Sequence, residues 1–464
     1  MAAGSTLIAG GTVVTMDRSR SIILDGAVAV TGARIAEVGK REALLPRYRD
    51  AEVLDARGML VIPGLIDGHN HPAHYLTKGL LDDIATPRRW ATRLYPFDVS
   101  VDAEQSYWGS MGTFAEMIRS GTTCVADPGS YQPEATIKAA IDIGLRACVT
   151  RSTRDISDPV RPTPDDLNVS AEAAVRQVDE LHAKWHGAGD GRVRIWYGLR
   201  TSFNVSDELC RLVKSHADKR GVGIHVHLAV NSAETAEMQK KYGLRPVERF
   251  RRLGLVDENL YAVHMGAIDQ PEVELVARKR VKVCHCASAS MLGAFGCIAH
   301  GKFVELAAAG ATLSLGTDAA SISRFLDLVR EMYIVACAHK DVAIDAEVMG
   351  AHKAFEMATI EGAKALLWAD EIGSLEQGKR ADLVLVRTEG LEWYPRPLVN
   401  PVANLIYSSS GEATDSVMVD GKWLMRGRKL LTIDEALLKH EVMQHAARAA
   451  QRANIPEEQR WPVH

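Results

Sequence analysis

Seven times between residues 103 and 318, a stretch with helical periodicity runs into a short apolar run that ends at a turn. The apolar runs are CVADPG (124–129), LRACVT (145–150), RIWYGL (194–199), GIHVHL (223–228), LYAVHMG (260–266), VKVCHC (281–286) and TLSLGTD (312–318). VIPGLID (61–67) precedes them and makes eight. Strands that alternate with helices predict a parallel sheet, because only a crossover helix can return the chain to start the next strand in the same direction. Eight such units fit a closed (β/α)8 TIM-like barrel better than an open doubly wound sheet.

The flanks have a different texture. Residues 1–62 alternate short β runs with Gly and Asp turns, and RADLVLVR, LIYSSSG and DSVMVDGKWLMRGRKLL bring that texture back late in the chain. The expected organisation is therefore α/β: a small β-sandwich built from both chain ends (1–62 and 372–430), a barrel over 63–371, and a helical tail over 431–464. The length of 464 residues with 47% hydrophobic content supplies cores for both units.

Charge and cysteine usage narrow the function classes. Lys+Arg is 55 against Asp+Glu 59, which gives a formal charge of −4 and points away from nucleic acid. The seven scattered cysteines read as reduced thiols of a cytoplasmic enzyme rather than as a disulfide framework. The N-terminus MAAGSTLIAGGTVVTMD lacks a basic region and is broken by Gly, so it reads as strands and not as a signal peptide. No apolar run is long enough to predict a membrane partner. A small-molecule substrate is expected.

Barrels of this kind carry their chemistry at the C-terminal strand ends. Ionisable residues collect there: His69 and His71 after the first strand, His225 and His227 on the fifth, His264 on the sixth, His285 on the seventh and Asp318 after the eighth. His69 and His71 are two residues apart, so alternation lets both face one ion. Of the fifth-strand pair, only one need be a ligand. Imidazoles with one carboxylate suit Zn2+, with Fe2+ the other candidate.

These residues carry a resemblance. PGLIDGHNH (63–71), HVHLA (225–229), AVH (262–264) and LGTD (315–318), with ATIEGAKALLWADEIGSLEQGKRADLVLV (358–386), resemble the amidohydrolase superfamily. The branch is that of S-adenosylhomocysteine and cytosine-type deaminases and triazine hydrolases, on the segment HNHPAHYLTKGLLDDIATPRRW. The resemblance implies one divalent metal held by His69, His71, His227 and Asp318, with Asp318 and His264 moving the proton of a metal-activated water. It also implies a homodimer or homotetramer. It places Asp98 and Arg151 at substrate-binding positions, His74 at the pocket mouth, and His285 in the pocket wall or in a supporting role. Asp127 falls where it supports a metal-bound histidine.

Two departures qualify what is implied. The family's His-x-x-Glu reads 227-HLAV-230, so Val230 replaces a proton donor, unless Asn231 or Glu234 substitutes. In 198-GLRTSFNVS-206, Arg200 stands where the branch keeps a histidine. With Arg151 and Arg154 it makes a cationic wall suited to a carboxylate, unless Arg154 pairs locally with Asp155 or Asp158. The expected activity is hydrolysis of a C–N bond in an amide-like or amidine-like small molecule, cyclic or aryl and with room for a carboxylate. Deamination or dehalogenation of an N-heterocycle is the alternative. Metal-dependent decarboxylation and a non-catalytic metal-binding protein stand behind it.

Overall fold

The computed structural model describes residues 4–157, 169–395, 400–455 and 461–462. It contains two sheets of nine strands each. The central one runs through Leu65–Asp67, Thr122–Ser130, Arg146–Thr153, Tyr197–Thr201, Ile224–Leu228, Leu260–His264, Lys282–His285 and Thr312–Leu315, all in parallel register. A short extra strand, Val193–Ile195, pairs with the third. The ring closes between its first and eighth members. Gly68 N donates to Leu315 O (2.7 Å), Asp318 N to His69 O (2.8 Å) and His71 N to Asp318 O (2.6 Å). This is the expected (β/α)8 barrel. The fifth and sixth strands are buried along their whole length, as strands packed on both faces must be.

The second sheet is mixed and draws on both chain ends. Its seam is the antiparallel pairing of Met59–Pro63 with Leu383–Arg387, which sets Ile62 opposite Val384. VIPGLID is therefore not one barrel strand, as the sequence suggested. Pro63 ends a strand of the outer sheet, and the barrel strand starts only at Leu65. Gly64 makes the transfer because a Cβ there would lie 2.0 Å from the Thr123 hydroxyl. LIYSSSG also differs from the β reading: its first four residues close a helix, Pro401–Ser408. Pro401 pre-sets the first turn and the Asn400 side chain caps it by accepting from Ala403 N.

At the N-terminal base of the barrel, the sheets are tied by a buried ionic knot. Arg146 opens the third strand and is fully buried. Its Nε and Nη2 donate to the Asp382 carboxylate at 2.9 and 3.0 Å, and Nη2 also donates to Asp420 at 2.8 Å. Both acids belong to the outer-sheet segment, and Trp368 lies 5.2 Å from the guanidinium. Burial works to lower the Arg146 pKa, but Asp382 and Asp420 more than reverse it. The helix Glu435–Arg452 lies on Ala103–Arg119, held by Arg119–Glu435 (2.9 Å) and Arg452–Asp102 (2.8 Å) at its two ends. No described helix is long and apolar enough to cross a membrane.

Candidate active site

Four strand ends meet at one point. His69, His71 and His227 bring their nitrogens within 4.8 Å of one another, and so do the ligand atoms of His69, His264 and Asp318. Asp318 Oδ1 lies 3.8 Å from Nε2 of both His69 and His71, and Oδ2 lies 3.9 Å from His264 Nε2. All five side chains are buried. The backbone bends sharply to aim two of them: His264 and Asp318 have φ of 77° and 62°, left-handed values that L residues adopt at a cost of about 1 kcal/mol or more.

The approach of the first strand to this point depends on Gly68. A Cβ there would meet the Tyr261 hydroxyl at 2.1 Å. Asp67 then locks the turn by accepting from the backbone N–H of His69 and of Thr317, and from the Thr317 hydroxyl. Asn70, between the two histidines, is turned away and donates to Thr317 Oγ1 at 3.0 Å.

The proton of His227 is committed. His227 Nδ1 lies 2.8 Å from the Arg200 carbonyl, which can only accept, so that nitrogen carries the hydrogen. Its Nε2 lone pair then faces His71 Nε2 at 3.2 Å. His69 Nδ1 contacts His225 Nε2 at 2.9 Å, while His69 Nε2 is buried with no hydrogen-bond partner. His225 therefore stands one layer below the cluster, behind His69, and His227 is the fifth-strand residue in it. Burial, aided by the neighbouring imidazoles, holds His69 well below the usual histidine pKa. Burial does the same for His71, with His74 and Arg200 adding to it, and for His227, with Arg200 adding to it. Burial lowers His264 to about 4 and raises Asp318 to about 6. Neutral imidazoles with converging lone pairs, an orphaned Nε2 and one carboxylate are the donor set a divalent ion requires.

A narrow cavity opens beside His71. His74, Phe97, Asp98, Asp127, Tyr131, Ser152 and Arg200 are among its walls. His74 stacks on His71 and holds Asp98 Oδ1 at 2.7 Å through Nε2. Arg200 approaches Asp98 Oδ2 at 3.7 Å. Burial opposes ionisation of Asp98, but His74, Arg200 and Arg154 overcome it and hold the carboxyl below its usual value. The structure thus gathers His74, Asp98 and Arg200 next to the cluster.

Arg151 and His285 are not part of this wall. Arg151 follows inward-facing Thr150 and precedes Ser152, so alternation turns it outward, where Nε donates to Gln177 at 2.9 Å. His285 packs on Phe303 (3.7 Å between ring centroids) and meets His339 Nε2 at 2.9 Å, beneath the outer helices. Arg154 bonds the Tyr131 hydroxyl and lies over its ring at 5.2 Å. Asp155 is used by Ser206 and Asp158 lies outside the described residues. Asp127 contacts no metal-site histidine; it accepts from Gly129 N at 2.8 Å.

Of the two candidate substitutes for the missing glutamate, both have local partners. Asn231 caps the helix Ser232–Tyr242, and Glu234 bonds Val230 N (2.7 Å) and the Ser202 hydroxyl. Sequence reasoning missed Tyr131 and Phe295, whose ring stands edge-on to His264 at 5.6 Å. Both sit on loops after barrel strands, and only that position could have flagged them.

Comparison with known proteins agrees with this geometry. The model of the Amidohydrolase family matches residues 60–424. A 5-methylthioadenosine/S-adenosylhomocysteine deaminase of Moorella thermoacetica is 35% identical over 431 residues, 93% of this chain and 96% of that protein. One from Desulforamulus reducens is 31% identical over 96% and 99% of the two chains. Among solved structures, a zinc-bound adenosine deaminase from Xanthomonas campestris superposes with a TM-score of 0.87 at 29% identity, over 96% of this chain and 98% of that one.

Proposed function

We propose a function from one premise: the chain belongs to the amidohydrolase family. It is a metal-dependent hydrolase of carbon–nitrogen bonds other than peptide bonds. The observation that carries the reading is the convergence of His69, His71 and His227 nitrogens with Asp318 and His264 at the C-terminal mouth. We assign His69, His71, His227 and Asp318 as ligands of one zinc ion, the metal of the adenosine deaminase structure. When bound, such an ion polarises the reacting group and makes water a usable nucleophile near neutral pH.

The chain's own residues do the rest. Asp318 accepts the proton of the attacking water and returns it to the departing nitrogen. His264, neutral and 3.9 Å away, holds the proton path in line. Val230 supplies no second acid, so one carboxylate serves both stages. Phe97, Phe295 and the buried walls limit water to the site.

The substrate reading is an amide-like or amidine-like group on a small cyclic or aryl molecule. The relatives' activity favours the amidine case, with ammonia leaving from an amino-substituted N-heterocycle. Nothing in it favours the decarboxylase alternative. The test is ammonia release by zinc-loaded protein from adenosine, 5-methylthioadenosine and S-adenosylhomocysteine, beside a panel of cyclic amides followed by ring opening. Turnover of any of these that disappears on chelation and returns with zinc supports the reading. Turnover that survives in metal-free protein sinks it.

A further inference from the structure

Asp127 ends the second barrel strand's inward run and is 1% exposed. One oxygen, Oδ1, accepts from Gly129 N. The other, Oδ2, is buried and makes no hydrogen bond or ion pair among the described residues. Next to it in the cavity wall, the Ser152 hydroxyl is also buried and unpartnered. Across the same cavity Arg200 is 7% exposed. Among the described residues its guanidinium makes one ion pair, the 3.7 Å approach to Asp98, and no hydrogen bond. His71 completes the wall, so these groups border the histidine cluster.

A bare carboxyl oxygen and a loosely paired guanidinium each carry a desolvation cost, and facing one cavity they indicate a ligand that satisfies both. An Asx turn at Gly129 explains Oδ1 but leaves Oδ2 without a purpose. Burial pushes the Asp127 carboxyl up to about 7, against the pull of Gly129 N–H, His74 and Arg200. Near neutral pH it is therefore open to a partner's choice of form.

We propose that Asp127 is a substrate-contacting specificity residue, whose Oδ2 takes an N–H of the substrate while Arg200 takes an adjacent acceptor. The site then selects molecules with a donor–acceptor edge, such as the N–H/C=O edge of a lactam or cyclic ureide. The assignment rests on this cavity being the substrate site of the proposed hydrolase.

The test is equilibrium binding of uracil and 1,3-dimethyluracil to zinc-loaded protein, wild type and Asp127→Asn. Uracil has the edge and no exocyclic amine, and binding is read while its ultraviolet absorbance shows the ring intact. Asn keeps the oxygen that caps Gly129 and replaces Oδ2 by a donor; unchanged zinc content and melting temperature verify the fold. Wild type is expected to prefer uracil by about tenfold or more, and the variant to lose about tenfold of that ratio. A preference that survives Asp127→Asn reflects bulk alone and overturns the proposal, as does failure of wild type to bind uracil. If Asp127→Asn does not fold, Arg200→Gln is the second arm: uracil affinity falls at least fivefold, and an unchanged affinity overturns the clamp. Binding with the expected preference but no hydrolysis of any panel compound would overturn the proposed substrate class and leave Asp127 and Arg200 as contacts of a bound ligand. Hydrolysis without the preference would do the reverse.

Discussion

The two ends of the barrel surround their buried polar groups with different company. At the base, the Arg146 cation meets the Asp382 and Asp420 carboxylates, with Arg380 3.4 Å from Asp420, although Arg146 Nη1 and Asp420 Oδ2 make no hydrogen bond. At the mouth, His69 Nε2 makes no hydrogen bond and has Asp318 at 3.8 Å, and Asp127 Oδ2 has neither a hydrogen bond nor an ion pair among the described residues. Both arrangements stand on the same eight strands. The base closes opposite charges across two sheets; the mouth gathers four imidazoles round one carboxylate. That contrast points to the mouth as the functional end.

The sharpest way to break the comparison is at Asp318. Asp318→Ala removes a ligand and the proton carrier together, and turnover on whichever panel compound is accepted should fall by about four orders of magnitude or more. Loss of less than tenfold would remove Asp318 from the chemistry. Arg146→Met should act only at the base. It leaves the Asp382 carboxylate buried without its cation and Asp420 with Arg380 alone at 3.4 Å, and should cost about 3–5 kcal/mol by urea unfolding, while turnover per bound zinc stays within twofold. A drop in turnover without loss of stability would show that the ends are coupled.

His225→Ala is the intermediate case. It strips His69 Nδ1 of its partner but removes no ligand, and zinc affinity should fall about 10–100-fold by competition with a chelator. An unchanged affinity would mean the tautomer of His69 is set elsewhere.

The smallest effect is in pH. His225 and His264 have folded pKa values of about 3 and 4, and those of His69, His71 and His227 are also depressed. The unfolded chain binds more protons, so their contribution is present above about pH 6.5 and is lost as pH falls. The slope is about 1.4 kcal/mol per pH unit for each imidazole that stays neutral. Asp67, Asp127 and Glu331, raised to about 7 by burial, act in the other direction: stability is lost as pH rises from about 4 through 7. Metal-free protein should therefore show a urea midpoint that falls on both sides of a maximum near pH 6. The Arg146→Met penalty should grow as pH rises from about 5 to about 8, because protonation relieves the carboxylate left buried without its cation.

The barrel was legible because its strands are buried on both faces and its helices are not, which prints two periods on one sequence. The cluster was legible because His69 and His71 share a face and the other candidates fall at strand ends. Parity could also have excluded Arg151: Thr150 and Ser152 face inward, so the residue between them cannot. Other features leave no local trace. Gly64 ends one sheet and starts another through contact with Thr123, 59 positions away by sequence number. The helical start of LIYSSSG depends on a cap at Asn400 and on burial of Leu405 and Ile406 against the barrel's helices. The idle Asp127 Oδ2 is visible only once its surroundings are in place.

The hydrogen bonds that close the ring run through the metal-site residues themselves: Asp318 N to His69 O, and His71 N to Asp318 O. Thr317 and Asp67, which brace that seam, are 250 residues apart in sequence. No partial ring can hold the four ligands, since the last arrives only with the last strand. Capture of a divalent metal by the four proposed ligands thus waits until the chain has reached Asp318 and the ring has closed. A chain stalled or cut before residue 318 has neither a closed ring nor a competent ion site, and so cannot be a slow enzyme; it can only be an inactive one.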